Sequence, residues 1–296
     1  MTRPLIVPLP GNEARASRMA EGLGGELGGL ETRSFPDGET YLRFRTDPRG
    51  RDLVLMCSLD RPDPKFLPLA FAADAGRDLG AARVGLVAPY LAYMRQDKRF
   101  QAGEAVTSIS FARLLSSTLD WLVTVDPHLH RYRTLDAIYA VPTRVVHAAP
   151  LIGDWIAQHV PAPFVVGPDS ESEQWVAAVA ARAGAPYRVL RKERRGDRQV
   201  EITLPDLHAF REQTPVLVDD IVSSGRTMIE TARHLREQGM PAPICIAVHA
   251  LFSPEAHQAL LELTSRMIST NTVAHETNAI DLSGLLVEQV ADLLRG

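Results

Sequence analysis

Val216-Leu217-Val218-Asp219-Asp220-Ile221-Val222-Ser223-Ser224-Gly225-Arg226-Thr227 is the stretch on which the reading of this chain turns. Apolar residues run into two adjacent carboxylates, a Ser/Gly/Thr turn follows, and a helical spacing begins at Met228 with Ile229, Ala232 and Leu235. A strand that empties into a turn opening a helix gathers backbone N–H groups and a positive dipole end at one point, which suits a phosphate. Asp219 and Asp220 repel a phosphate and suit sugar hydroxyls or a divalent cation lying beside it. Phosphate next to polyol means a sugar phosphate. The same run also reads as a buried parallel strand followed by a helix capped by Ser223 or Ser224. Paired carboxylates followed by S-S-G-x-T favour the ligand site.

Outward from this stretch, strands and helices alternate along the chain. Strands are expected at 5–9, 53–57, 84–89, 121–125, 143–146, 164–166, 187–190, 199–202, from 216, and at 244–249 and 266–269. Helices are expected at 13–22, 65–79, 108–119, 151–159, 173–183, 228–238, 254–263 and near 282–294. Such alternation predicts mainly parallel sheets flanked by helices, an α/β fold, and the number of strands suits two sheets. Pro142, Ala148, Ala149 and Pro150 mark the end of the first series, so the expected domains are 1–145 and 146–296. The halves share a layout without a strong residue-level repeat.

Composition narrows the class. The chain has 296 residues, 45% hydrophobic and 23% charged, with formal net charge −4, a globular profile. No basic block or stripe points to nucleic acid. Cys57 and Cys245 lie far apart in apolar runs and read as core thiols. No apolar stretch reaches membrane length and no leader-like segment opens the chain, so a cytoplasmic protein is expected.

In open α/β sheets ligands gather past the carboxyl ends of the strands, and polar clusters fall there. Asp126-Pro127-His128-Leu129-His130 follows one strand and Pro168-Asp169-Ser170-Glu171-Ser172 another. His128 and Asp169 are candidate cation ligands, although Mg²⁺ prefers oxygen; equally, Asp169 and Ser170 read as a helix cap. Tyr90 to Glu104 gathers Arg95, Lys98 and Arg99 around Gln96, Asp97 and aromatics, suited to phosphate contact and base stacking. Arg191 to Arg198 is the densest basic segment, a mobile hairpin-like loop able to close over a polyphosphate. Arg33 to Glu39 holds the turn residues Pro36, Asp37 and Gly38 beside Phe35. No Walker-type loop and no G-x-G-x-x-G occur, which removes the P-loop kinase and nicotinamide-enzyme classes.

Taken together these segments resemble the ribose-phosphate diphosphokinase (PRPP synthetase) family, nearly collinearly over the whole chain. The resemblance rests on F-P-D-G-E (35–39), P-Y-L-A-Y-M-R-Q-D-K (89–98), D-P-H (126–128), P-D (168–169), K-E-R (192–194), V-D-D-I-V-S-S-G-R-T (218–227) and H-A-L-F-S (249–253). Each is weak alone; their order and spacing are specific, and the 98–104 stretch and Ser223 lie closer to the archaeal-type branch. The resemblance implies two phosphoribosyltransferase-like domains in a homodimer or higher assembly, and transfer of the diphosphoryl group of ATP to the 1-hydroxyl of ribose 5-phosphate. It implies that Asp219 and Asp220 hold the ribose hydroxyls and that Ser223, Ser224, Gly225, Arg226 and Thr227 hold the 5-phosphate. By the same resemblance Arg95, Gln96 and Asp97 bind ATP, joined by Phe35, Asp37 and Glu39 of a neighbouring subunit. His128 and Asp169 would place Mg²⁺, and Lys192 and Arg194 would reach the transferring phosphoryl group.

Three departures stand out. Asp169-Ser170-Glu171-Ser172 replaces a segment that in the family usually carries glycine after the aspartate, and Glu171 adds a negative charge there. Arg226 stands where the phosphate turn has a second glycine, a position at which a positive φ would strain it. Arg61-Pro62-Asp63-Pro64 also differs. The competing readings are a phosphoribosyltransferase, a diphosphokinase for another phosphorylated sugar, and a non-catalytic regulatory paralogue.

Overall fold

In a computed structural model the chain is described at residues 2–129, 131–168, 172–195, 199–203 and 207–295. It divides into two units, Met1–Val146 with Leu282–Gly296, and His147–Asp281. The first unit starts with β1 (Leu5–Pro8), α1 (Glu13–Leu23) and the short β2 (Glu26–Leu27), followed by β3 (Leu30–Ser34) and β4 (Thr40–Phe44). Then come β5 (Asp52–Met56), α2 (Asp63–Asp78), β6 (Arg83–Ala88), α3 (Thr107–Thr118), β7 (Trp121–Val125) and β8 (Thr143–Val146). Six of these strands form one sheet in the order β2-β1-β5-β6-β7-β8, every pairing parallel. A parallel sheet is covered on both faces, which is why its strands are unbroken apolar runs; Leu5, Ile6, Val7, Leu53, Val54, Leu55, Leu86 and Val87 are wholly buried.

The second unit repeats this layout. It contains α4 (Ala149–His159), β9 (Pro163–Gly167), α5 (Glu173–Ala183), β10 (Tyr187–Val189), β11 (Arg191–Arg195) and β12 (Gln199–Thr203). It continues with β13 (Thr214–Val222), α6 (Arg226–Glu237), β14 (Ile244–Ala250), α7 (Pro254–Leu263), β15 (Arg266–Thr270) and β16 (Asn278–Ile280). Its sheet, β10-β9-β13-β14-β15-β16, is again parallel throughout. Each unit inserts one antiparallel hairpin between its second and third sheet strands, β3–β4 in the first and β11–β12 in the second. The expected α/β architecture with two mainly parallel sheets is the one observed.

Two expectations change. The basic run from Arg191 is not a loop between strands: Arg191–Arg195 is itself strand β11, pairing Lys192 with Ile202 and Arg194 with Val200. Alternating polar and apolar residues on the partner strand supplied a period the charged strand lacks. The last helix, α8 (Ser283–Arg295), belongs to the first unit and not to a domain spanning 146–296. Its stripe of Leu286, Val290 and Leu293 is buried. Gly22 on α1 leaves room for it, since a Cβ there would lie 2.7 Å from Cγ2 of Val287. Arg83 donates from Nη1 and Nη2 to the carbonyls of Leu293 and Leu294, each at 3.1 Å, closing the helix C-terminus with a cation.

Candidate active site

In the second unit β13 is the pivot. It pairs with β9 through 214–217 and with β14 as far as Val222. β9 stops first, so Asp219 and Asp220 stand half-buried where the neighbouring strand has ended. Here the strand order reverses direction, since β9 leads to β10 on one side while β13 lies on the other; such a switch point is where a crevice opens. Oδ1 of Asp219 accepts from the Asp220 N–H at 3.0 Å, and Oδ1 of Asp220 from the Ile221 N–H at 2.7 Å. Each carboxylate is thereby oriented by the backbone N–H of the next residue, and carboxylate oxygens suit hydroxyls or a hard cation.

The turn that follows is tied down from behind. Leu251 N donates to Val222 O at 3.0 Å and Ser253 N to Ser223 O at 3.1 Å. Gly225 takes φ +64°, and a Cβ there would lie 3.2 Å from Cβ of Ala256 and 3.4 Å from Cδ1 of Leu260. Helix α6 then opens at Arg226, its first turn free of acidic residues. The positive φ falls on Gly225, not on Arg226, which is the first residue of α6 and absent from the positive-φ set. The strain expected of Arg226 therefore does not arise, and its guanidinium adds positive charge at the helix N-terminus.

In the first unit the loops after β1 and β5 are tied to each other. Asn12, only 2% exposed, accepts from the Ser58 N–H at 3.0 Å and donates to Leu9 O at 3.2 Å. It stitches the loop after β1 to the loop after β5. Ser58 thus offers its N–H to a side chain, not to a ligand.

The other candidates of the first unit lie one strand further along. After β6 the chain buries Tyr90, Leu91, Ala92 and Met94, turns through Tyr93 at φ +61°, and exposes Arg95 with Gln96 half-buried. A hydrogen bond to Asp63 and partial burial raise the Tyr93 hydroxyl pKa above its ordinary value. After β7, Asp126 and His128 both have positive φ, +31° and +55°, and His128 N donates to Asp126 O at 2.9 Å. Non-glycine residues in that region are costly and concentrate at functional sites.

The two loops are joined. Arg131 Nε donates to Oδ1 of Asp97 at 3.2 Å, and Tyr132 Oη to the Asp97 carbonyl at 3.1 Å. The wholly buried Ser108 shares a 3.0 Å hydrogen bond with Tyr132 Oη. Ser108 N and Thr107 Oγ1 donate to the backbone and side-chain oxygens of Gln96, at 3.3 and 3.0 Å. Asp97 is thereby turned inward, its side chain 7% exposed. Sequence reading did not single out Arg131 or Tyr132; the only signal was the polar-aromatic run His130-Arg131-Tyr132-Arg133 after a strand end.

Phe35, Asp37 and Glu39 sit at the tip of the β3–β4 hairpin. Gly38 at φ +91° and a 2.8 Å bond from Phe35 N to Glu39 O close the turn, and Oδ1 of Asp37 accepts from Glu39 N at 3.1 Å. Phe35 is 40% exposed, edge-on to Tyr41 and 4.7 Å from the Arg33 guanidinium. Lys192 and Arg194 occupy alternate positions of β11. Asp169 lies outside the described residues.

Among the described residues no group of three or more His, Cys, Asp and Glu side chains gathers as a metal cage. Mg²⁺ is ordinarily held by one or two carboxylates together with substrate phosphates and water, and the hard oxygens of Asp219 and Asp220 fit that donor set. The His128 nitrogen fits it less well.

Comparison with known proteins agrees with this geometry. Residues 5–118 match the model of the N-terminal domain of ribose phosphate pyrophosphokinase, and residues 135–281 the phosphoribosyl transferase domain. A ribose-phosphate pyrophosphokinase of Methanopyrus kandleri is 35% identical over 279 residues, 93% of this chain and 94% of its own. That of Thermoplasma acidophilum is 32% identical, covering 97% and 98%. The phosphoribosylpyrophosphate synthetase of Mycobacterium smegmatis has the same fold, with TM-score 0.86 at 24% identity and 99% coverage of both chains. The two matched models lie in the order of the two units, and with relatives this similar over nearly their full length the chain belongs to the ribose-phosphate pyrophosphokinase family.

Proposed function

We propose that this protein is an ATP-dependent ribose-phosphate diphosphokinase, moving the β,γ-diphosphoryl group of ATP to the 1-hydroxyl of ribose 5-phosphate and releasing AMP. The observation that carries the reading is the β13–α6 junction: two carboxylates at a strand end, then a turn with its positive φ on Gly225. The carboxylates of Asp219 and Asp220 accept from the ribose hydroxyls. The N–H groups of the α6 N-terminus, with Ser223, Ser224, Arg226 and Thr227, hold the 5-phosphate, so the 1-hydroxyl is fixed in position. The nucleotide falls to the first unit, where Arg95 and Gln96 meet its phosphates. Phe35, Asp37 and Glu39 on the hairpin tip take its base and ribose, as part of a homodimer or larger assembly.

Phosphoryl transfer needs little covalent chemistry from a protein; alignment and charge stabilisation supply most of the rate. No side chain is needed as a covalent nucleophile, because the acceptor hydroxyl attacks. Lys192 and Arg194 supply cations to the charge that develops on the transferring group. Mg²⁺ bound with the substrates' phosphates would supply charge neutralisation; Asp219 and Asp220 would offer it hard oxygen ligands, and His128 and Asp169 are separate candidate ligands.

The test is AMP release from ATP and Mg²⁺ with and without ribose 5-phosphate, the sugar product identified by mass. AMP and 5-phosphoribosyl 1-diphosphate formed in equal amounts, only with both substrates present, is the expected result. ATP binding without turnover would overturn ribose 5-phosphate as acceptor, and absence of ATP binding would overturn the reaction.

A further inference from the structure

We infer that Arg131 and Tyr132 are positioning residues that lock the His128 loop to the Arg95–Asp97 segment, making the nucleotide side of the site one rigid piece. This deepens the reading above and rests on it. The loops after β6 and β7 are far apart in sequence, and among the described residues neither 95–97 nor 128, 129, 131 and 132 lie in a helix or strand. What joins them is Asp97. Its carboxylate takes Arg131 Nε at 3.2 Å and its carbonyl takes Tyr132 Oη at 3.1 Å. One residue is thus gripped at both its side chain and its backbone by two consecutive residues of the other loop.

The grip extends into α3. Tyr132 Oη also meets Oγ of Ser108, at 3.0 Å, and the first turn of α3 holds both ends of Gln96 through Ser108 N and Thr107 Oγ1. Gln96 and Asp97 therefore cannot shift without breaking contacts to both α3 and the 131–132 pair. Arg95 is left exposed at the edge of this frame.

Charge decides what the lock is for. An aspartate one peptide from Gln96 and two from Arg95 would repel a polyphosphate if it faced outward. Pairing with Arg131, 44% exposed at its side chain against 7% for Asp97, neutralises it while leaving part of the guanidinium toward solvent. The pair is only partly screened, because one partner is buried. It also joins the strained turn at Asp126 and His128 to the frame, since only two residues lie between His128 and Arg131 along the chain. Asp97 on this assignment acts through Arg131 and the backbone, and does not itself meet the nucleotide.

The experiment compares Arg131→Gln, Arg131→Lys and Tyr132→Phe with the wild type in the full-length protein. Binding of ATP is titrated by calorimetry with and without Mg²⁺, and KM and kcat are measured for both substrates. Arg131→Gln is expected to weaken ATP binding and raise its KM roughly tenfold, about the loss of one charge-assisted hydrogen bond. The KM for ribose 5-phosphate and the thermal midpoint should stay near wild type. Tyr132→Phe should give a smaller shift of the same kind, and Arg131→Lys should recover most of the loss. ATP binding unchanged in Arg131→Gln, or a fall in thermal midpoint with both KM values unchanged, would overturn the assignment. The calorimetric arm is independent of the acceptor: a wild type that binds ATP but makes no diphosphorylated ribose refutes the proposed reaction and still judges the lock. A wild type that binds no ATP refutes both.

Discussion

Gly225 shows how a single backbone angle serves a site. Its φ of +64° is inexpensive for glycine and costs an L-residue about 1–2 kcal/mol, and a Cβ would press on Ala256. Gly225→Ala should therefore lower stability by about that amount and raise the KM for ribose 5-phosphate while leaving that for ATP near wild type, as steady-state assays and thermal melts would show. Arg226 is the counter-example. Its place in the motif suggests strain, yet the helix begins two residues earlier than the apolar spacing indicates, so Arg226 has an ordinary helical conformation. Helix starts are poorly legible from apolar periodicity because the first turn carries no buried residue here before Met228. The two cysteines are residue-scale features that the site does not use. Burial pushes the Cys57 thiol up to about 12 and the Cys245 thiol upward as well. At pH 8 the native protein should give no fast reaction with a thiol reagent and two equivalents once unfolded in guanidinium; rapid labelling of the native state would contradict the burial.

At the scale of elements the hairpins are the informative parts. Both units insert one at the same topological point, yet the two carry opposite chemistry. The tip of β3–β4 bears Phe35, Asp37 and Glu39, while β11 bears Lys192 and Arg194. Neither hairpin shows the alternating pattern of a half-buried strand in its first arm, and that is why the sequence resolved only turn residues in one and, in the other, a charge cluster before the strand at 199–202. A strand without alternating apolar residues has no hydrophobic period to read. Lys192→Ala should lower kcat roughly 10²-fold or more, with the thermal midpoint barely changed, because the substitution removes a cation and leaves the β11–β12 backbone pairs intact. A variant with near-normal kcat would remove Lys192 from the mechanism.

For the whole molecule, the chain's return to its first unit is the feature that the order of residues conceals. Helix α8 lies at the end of the sequence and packs with α1 and the first sheet. Leu286, 4% exposed, belongs to that contact. Leu286→Ala should destabilise the first unit by about 2–5 kcal/mol, seen as a lowered calorimetric transition. The KM for ribose 5-phosphate, whose proposed ligands lie in the other unit, should remain near wild type. A raised KM for ribose 5-phosphate in this variant would contradict that expectation. The internal duplication is likewise visible only as strand order, since what the units share is the arrangement of apolar runs and not residue identities.

The order of apolar runs determined the α/β class and the division into two parallel sheets, and the 216–227 stretch alone marked the strand–turn–helix junction proposed to hold the sugar phosphate. These are local properties: a strand–turn–helix junction is written in a dozen consecutive residues. Tertiary structure decided which unit holds the last helix, which strands pair into hairpins, and which residue carries the positive φ. It also decided that Asp97 faces Arg131 and not solvent, across 34 residues of chain. Such an ion pair has no sequence signature, because either partner alone looks like a solvated charge, and only the folding of the loops after β6 and β7 beside each other brings the two within hydrogen-bonding distance.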